Sequence, residues 1–208
     1  LETVFPTGEA GLGHAASALL NAVVDLASRP LDLSARQGVL ARAQDMAQRY
    51  AAAGAQIDTL QEGVVQDLQV AVANVNRLTQ GIATVNEQIA RVSGSGQTPN
   101  DLLDQRDQLV AELSEFVQVT TLPADDGSLA VFVAGGQRLV LGTQATALAF
   151  ASDEFDITRG AIAVNDGGTL RSLPSSMLAG GSIGGLLRFQ NEDLADARAA
   201  VGRMAAAF

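Results

Sequence analysis

Apolar residues step along this chain by alternating threes and fours from Val39 to Val92, and few folds accommodate such a pattern. The stripe runs Val39, Ala43, Met46, Tyr50, Ala53, Ile57, Leu60 and Val64. After one extra step of four at Leu68 it resumes as Ala71, Val75, Leu78, Ile82, Val85, Ile89 and Val92. This alternation is the heptad of a helix buried along one narrow seam. Consecutive steps of four around Val64 and Leu68 resemble a stutter, which locally unwinds a supercoil. Gly54, Gly63 and Gly81 each cost about 1 kcal/mol inside a helix, so a break at one of them competes with a continuous rod. Unbroken, the helix is roughly 80–90 Å long at about 1.5 Å per residue, a length suited to filaments and stalks.

The flanks fit a helical frame. Gly8, Gly11 and Gly13 keep the start loose, and a short helix is expected over His14–Ser28, with Leu19, Val23 and Leu26 on one face. Pro30 ends it. Ser34 and Gln37 have the spacing of a capping box. Ser93-Gly94-Ser95-Gly96 closes the long helix, and TPNDLLDQRDQL, Thr98 to Leu109, opens another. Thr98 suits the N-cap, Pro99 the first helical position and Asp101 the third. Leu102, Leu109, Leu113 and Phe116 carry the apolar side onward, widened by Leu103 and Val110.

The periodicity then drops to two. Short β-type runs are expected at Val117–Leu122, Leu129–Val133, Arg138–Leu141, Ala147–Phe150, Phe155–Thr158, Ala161–Val164 and Leu170–Leu173. Asp125-Asp126-Gly127, Gly135-Gly136, Arg159-Gly160 and Asn165-Asp166-Gly167-Gly168 separate them as hairpin turns. Gly180, Gly181, Gly184 and Gly185 read as a hinge after Pro174. A closing helix follows, with the stripe Leu187, Gln190, Leu194, Ala197, Val201, Met204 and Phe208. The expected fold is α+β: a long-helix, coiled-coil-like bundle with a small inserted antiparallel β domain. Residues 1–116 and 180–208 form the helical part and 117–179 the insertion. Both ends lie inside unfinished helical patterns, the expectation for a piece of a longer polypeptide.

Composition removes several function classes. The net charge is −10 and every basic residue is arginine, so with no basic run nucleic acid and anionic membrane are poor partners. No apolar run approaches the roughly 20 residues that span a bilayer. Without cysteine there is no thiol catalysis or thiolate metal site, and the one histidine, His14, has no evident acid–base partner. Asp125-Asp126-Gly127 lacks the later ligands of a calcium loop and reads better as a hairpin turn. The glycines at 180–185 lack the lysine of a phosphate loop. No cofactor motif is present, and no enzyme is expected.

Asp101, Asp104, Arg106 and Asp107 leave two readings. Three carboxylates on one helical face could hold a cation. The plainer alternative is a solvated or arginine-paired face, with Asp101 favoured by about 0.3–1 kcal/mol at the helix N-terminus. Arg106 would then reach the preceding helix or a neighbouring subunit, where its planar fork suits a carboxylate.

Pro99-Asn100-Asp101-Leu102-Leu103-Asp104-Gln105-Arg106-Asp107, followed by Leu109, Leu113 and Ser114, resembles the central motif of the flagellar hook-associated protein 1 family. Arg36-Gln37 through Ala43 to Ala47 resembles that family's early helix, and Ile82-Ala83-x-x-Asn86-x-x-Ile89 the end of its long one. Gly136-x-x-Leu139-Val140-x-Gly142 resembles a strand pair of its outer domain, and Gly181 to Phe189, then Asp193-Leu194, its return helix. The resemblance implies a non-enzymatic subunit of the extracellular flagellum, at the junction of hook and filament. Its implied partners are hook protein, other hook-associated proteins and copies of itself. An export chaperone would engage terminal segments absent here. Asn100, Asp101, Asp104, Arg106, Asp107 and Arg36 are then expected to be structural or interfacial. The segment alone is expected to be monomeric. Sibling axial proteins, the third hook-associated protein and flagellin, remain the near alternative. A non-flagellar adhesin or sensory stalk is a more distant one.

Overall fold

A computed structural model describes residues 5–93 and 99–207. The helices are α1 (Leu12–Ser28), α2 (Leu33–Ser93), α3 (Asn100–Phe116), α4 (Gly181–Arg188) and α5 (Leu194–Ala206). The strands are β1 (Val119–Pro123), β2 (Leu129–Val133), β3 (Gln137–Leu141), β4 (Gln144–Ala145), β5 (Leu148–Ser152), β6 (Gly160–Asp166) and β7 (Thr169–Leu173). The α+β expectation, long helices with a small antiparallel insertion, is what the structure has.

The glycines do not break α2. An added Cβ would meet nothing within 4 Å at Gly54 or Gly63. Each glycine costs about 1 kcal/mol in the helix. Against that, the same helix buries Ile57, Leu68, Val75, Leu78, Ile82 and Ile89 to 1 % exposure or less, at about 1.5–3 kcal/mol each. Burial wins and the helix stays continuous. The predicted stripe is the buried one from Ala53 to Ile89; Leu60 is the half-buried exception.

The start of α2 differs from expectation. Ser34 is not the cap: Asp32 Oδ1 accepts from the Ser34 N–H at 2.8 Å and the Ala35 N–H at 3.4 Å. A carboxylate placed two residues earlier satisfies orphan amides better than a neutral hydroxyl inside the helix. Arg29 steadies the same turn by donating to Asp25 Oδ1 at 2.6 Å and Asp32 Oδ2 at 3.2 Å.

The chain forms two compact units. One holds α1, α2 as far as Gln61, and α5. In it Leu12, Ala15, Ala16, Ile57, Leu194 and Ala197 are buried, and Arg198 Nη2 donates to Asp58 Oδ1 at 2.5 Å. The other spans Glu62–Glu192 and contains both sheets. These limits, at 61/62 and 192/193, fall inside helical sequence, whereas the boundaries 116/117 and 179/180 follow the change of periodicity.

The insertion contains two antiparallel sheets, β1-β2-β3-β4 and β5-β6-β7. The run Phe155–Thr158 is a turn, not a strand. Asp153 Oδ1 accepts from the Phe155 and Asp156 N–H groups, and Asp156 Oδ1 from that of Thr158. Such aspartate-backbone bonds compete with a strand ladder. The predicted glycine hinge is also corrected. Gly181, Gly184 and Gly185 lie inside α4, where Gly181 and Gly184 serve close packing. A Cβ on Gly181 would stand 2.4 Å from the backbone C and O of Phe116, and one on Gly184 2.5 Å from the Leu178 carbonyl. The closing helix is interrupted by a π turn, Phe189–Asp193.

Candidate functional site

The polar side chains with most consequence are four that bond to the backbone of other elements, all within the Glu62–Glu192 unit. Asn86 of α2 is fully buried. Its Nδ2 donates to the Leu129 carbonyl at 2.9 Å and the Gly142 carbonyl at 2.8 Å, and its Oδ1 accepts from the Leu129 N–H at 3.1 Å. One amide therefore stands in for a neighbouring strand against β2 and also ties the β3–β4 turn. Asn76, on the same helix, does this for the second sheet. It donates to the Leu148 carbonyl and accepts from the Leu148 N–H, both at 2.8 Å.

A third amide comes from the π turn. Gln190, 1 % exposed, accepts from the Gly160 N–H at 2.8 Å and donates to its carbonyl at 2.9 Å. Gly160 has no room for a side chain: a Cβ would stand 2.8 Å from Leu68 Cδ1 and from Phe150 Cε2. A π turn adds one residue to a helical repeat and re-aims the side chains around it. Here Gln190 belongs to that turn and reaches the first residue of β6. Amides suit all three places because each offers a donor and an acceptor in the pairing geometry of a peptide group.

Arg106 completes the set. It occupies the stripe Leu102, Arg106, Leu109, Leu113, Phe116 at steps of four and three, and it is 9 % exposed. It finds no carboxylate on the preceding helix. Its Nη1 donates to the Gly127 carbonyl at 2.8 Å, in the β1–β2 turn, and its buried Nε has no hydrogen-bond partner among the described residues. Asn100, Asp101, Asp104 and Asp107 are exposed on α3 and do not converge with it. Arg36, in the other unit, donates from Nε and Nη2 to the Pro30 carbonyl at 3.1 and 2.9 Å, tying the turn before α2. Pro99, with non-helical φ and ψ, takes the N-cap position of α3 rather than its first turn, and its carbonyl accepts from Leu102 and Leu103. Thr98 and the Gly94–Gly96 break lie outside the described residues.

Arg106→Ala is expected to lower the melting stability of this unit by about 2 kcal/mol, through a lost charge-assisted bond and a lost buried stem. Asp104→Ala and Asp107→Ala are expected to stay within about 0.5 kcal/mol. Urea denaturation of the three variants checks the contrast.

The β1–β2 turn is an aspartate turn. Hydrogen bonds from the Ser128 hydroxyl and its backbone N–H hold the Asp126 carboxyl below its ordinary 3.8. A carboxyl with a lower pKa when folded stabilises the fold fully above its unfolded value, and loses that contribution as pH falls through the folded one. The Ser128 amide resonance is therefore expected to titrate below 3.8, and Asp126→Asn to abolish that titration.

The buried amides are engaged with backbone, His14 is exposed, and no three His, Cys, Asp or Glu side chains among the described residues gather to hold a metal. No helix among the described residues is long and apolar enough to cross a membrane. In the sequence Gln190 lies on the closing stripe and Asn86 within the Ile82–Ile89 motif, whereas Asn76 carries no mark. For Gln190 and Arg106 the available signal was a polar residue at an apolar helical position; Asn76 and Asn86 lie one residue beside their stripe.

The profile of the flagellar hook-associated protein FlgK helical domain matches residues 1–208. Flagellar hook-associated protein 1 of Salmonella typhimurium is 36 % identical over 186 residues, which is 88 % of this chain and 34 % of that protein. The Escherichia coli protein of the same name is 31 % identical over 212 residues, 100 % of this chain and 39 % of that one. This chain thus spans little more than a third of the curated relatives it matches. The structure of the flagellar hook junction protein FlgK from Burkholderia pseudomallei superposes with a TM-score of 0.91 at 34 % identity, over 97 % of this chain and 36 % of that one.

Proposed function

From the premise that this chain belongs to the flagellar hook-associated protein FlgK helical-domain family, we propose that it is part of a structural subunit joining hook to filament in the bacterial flagellum. The observation that carries the reading is the fate of four polar side chains on the helical segments. Asn76, Asn86, Arg106 and Gln190 all bind backbone, so the site hardens a scaffold instead of binding a substrate. A part that transmits torque between two assemblies needs an outer module that keeps its place on its helix.

In this reading residues 1–116 and 180–208 build the helical domain and 117–179 the inserted module. Neighbours in the assembly are hook protein, other hook-associated proteins and further copies. The protein is extracellular, reached through flagellar export, and it catalyses nothing. The segment alone is monomeric.

Deleting the gene in its own bacterium is expected to leave hooks without filaments. Immunogold labelling of the complemented strain is expected to mark a narrow band between hook and filament. Label along the whole filament would instead assign the chain to a flagellin-like sibling.

A further inference from the structure

The turn between β5 and β6 displays two large apolar side chains to solvent. Phe155 is 94 % exposed and Ile157 84 %. Their backbone is held in place: Asp153 Oδ1 accepts from the N–H groups of Phe155 at 2.9 Å and Asp156 at 3.1 Å. Asp156 Oδ1 accepts from Thr158 N–H at 3.0 Å and its hydroxyl at 2.6 Å, and Arg159 pairs with Asp156 at 3.1 Å. A turn pre-ordered around two apolar tips loses little entropy on docking, the property of an interface anchor.

The same unit also carries a concave surface of mixed glycine, apolar and polar lining. A cavity of about 580 Å³ lies between the Ser175–Met177 turn and α4. Leu178 and Leu187 contribute to its lining, and glycines leave part of the wall bare. At Gly185 an added Cβ would meet nothing within 4 Å. Arg188 lines it, exposed and without an ion-pair partner among the described residues; Glu192 is the one acid that lines it. The turn in contrast carries Asp153 and Glu154 beside its apolar tips.

We propose that Phe155 and Ile157 of one copy seat in the glycine-lined cavity of the next copy, with Glu154 facing Arg188. The inference rests on the junction reading above, which puts copies side by side. The two surfaces differ, so the contact is heterologous and propagates around a ring or helix. One turn seated in one cavity is a small contact, favoured by the high local concentration of an assembly.

Cysteine cross-linking tests it, since these 208 residues contain no cysteine. Two differently tagged full-length copies, one Ile157→Cys and one Gly185→Cys, with any other cysteine replaced, are co-expressed and their flagella isolated and oxidised. Phe155→Cys replaces Ile157→Cys as an independent second pair, and Thr143→Cys, on the β3–β4 turn, is the control. The expected result is a mixed-tag disulfide dimer at least about fivefold more abundant than with the control. It should be lost when the turn-bearing copy also carries Phe155→Ser, or Ile157→Ser in the second pair. Incorporation of both copies into flagella without that dimer overturns the contact, as does an adduct with a different axial protein. Absence of both copies from flagella, with export intact, overturns the junction reading itself and the contact with it.

Discussion

Asn86→Leu is expected to destabilise the Glu62–Glu192 unit by about 1–7 kcal/mol, although leucine matches the apolar neighbours. The substitution strands three backbone groups: the Leu129 N–H, the Leu129 carbonyl and the Gly142 carbonyl. Each buried group left without a partner costs about 1–3 kcal/mol, and leucine's own burial offsets about 2 kcal/mol of the sum. Asn86→Asp isolates the donor side. It keeps an acceptor for the Leu129 N–H, removes both donors and puts a carboxylate where no counter-charge is bound. It is expected to be at least as damaging as leucine at neutral pH, and less so in acid, where the protonated carboxyl regains a donor. Denaturant unfolding at two pH values checks both statements.

Gly181→Ala is expected to be the other severe substitution. Gly181 has φ +63, a region where an L side chain costs about 1–2 kcal/mol. Its Cβ would stand 2.4 Å from the Phe116 C and O and 2.7 Å from the Val117 N. These are backbone atoms at the end of α3 and cannot rotate aside. The first turn of α4 must therefore move away from α3, and the expected total is above about 3 kcal/mol. Gly185→Ala, one turn along the same helix with open space around it, is expected to be neutral or stabilising by up to about 1 kcal/mol. The pair distinguishes steric demand from a loss of hinge flexibility, since a hinge would suffer at both positions. Calorimetric melting of the two variants measures it.

The helical frame was legible because periodicity reports burial directly. The stripe from Ala53 to Ile89 and the end of α2 near Ser93 follow from spacing and glycine placement alone. Most strands were legible from their turns. Asp125-Asp126-Gly127 and Gly167-Gly168 sit where the hairpins reverse. Phe155–Thr158 misled because its alternation of apolar and polar residues is that of a strand, while two aspartates divert its amides into turns. The glycines of α4 read as flexibility because a sequence does not show what lies 2.4 Å away.

The site was legible only in part, for a related reason. The acidic face of α3 drew notice because charge stands out in a leucine-rich segment, yet those carboxylates are solvated. Arg106 and Gln190 each interrupt a helical stripe, whereas Asn76 and Asn86 stand beside Val75 and Val85 of an unbroken one. Such an interruption predicts a buried polar partner, but not which strand supplies it. Asn86 and Leu129 are 43 residues apart, and Asn76 and Leu148 are 72 apart. No local pattern encodes a pairing at that distance.

Side-chain amides on the helical segments replace missing sheet partners and fix the inserted module. Amide hydrogen exchange at Leu129, Leu148 and Gly160 tests it most directly. Each N–H donates to a side chain, Asn86, Asn76 and Gln190 respectively. If the clamps hold, these three amides exchange only when the whole unit opens, at the slow rate of the α2 interior near Leu78 and Ile82. Exchange as fast as that of the exposed Phe155 turn, while the α2 interior stays protected, would contradict the account.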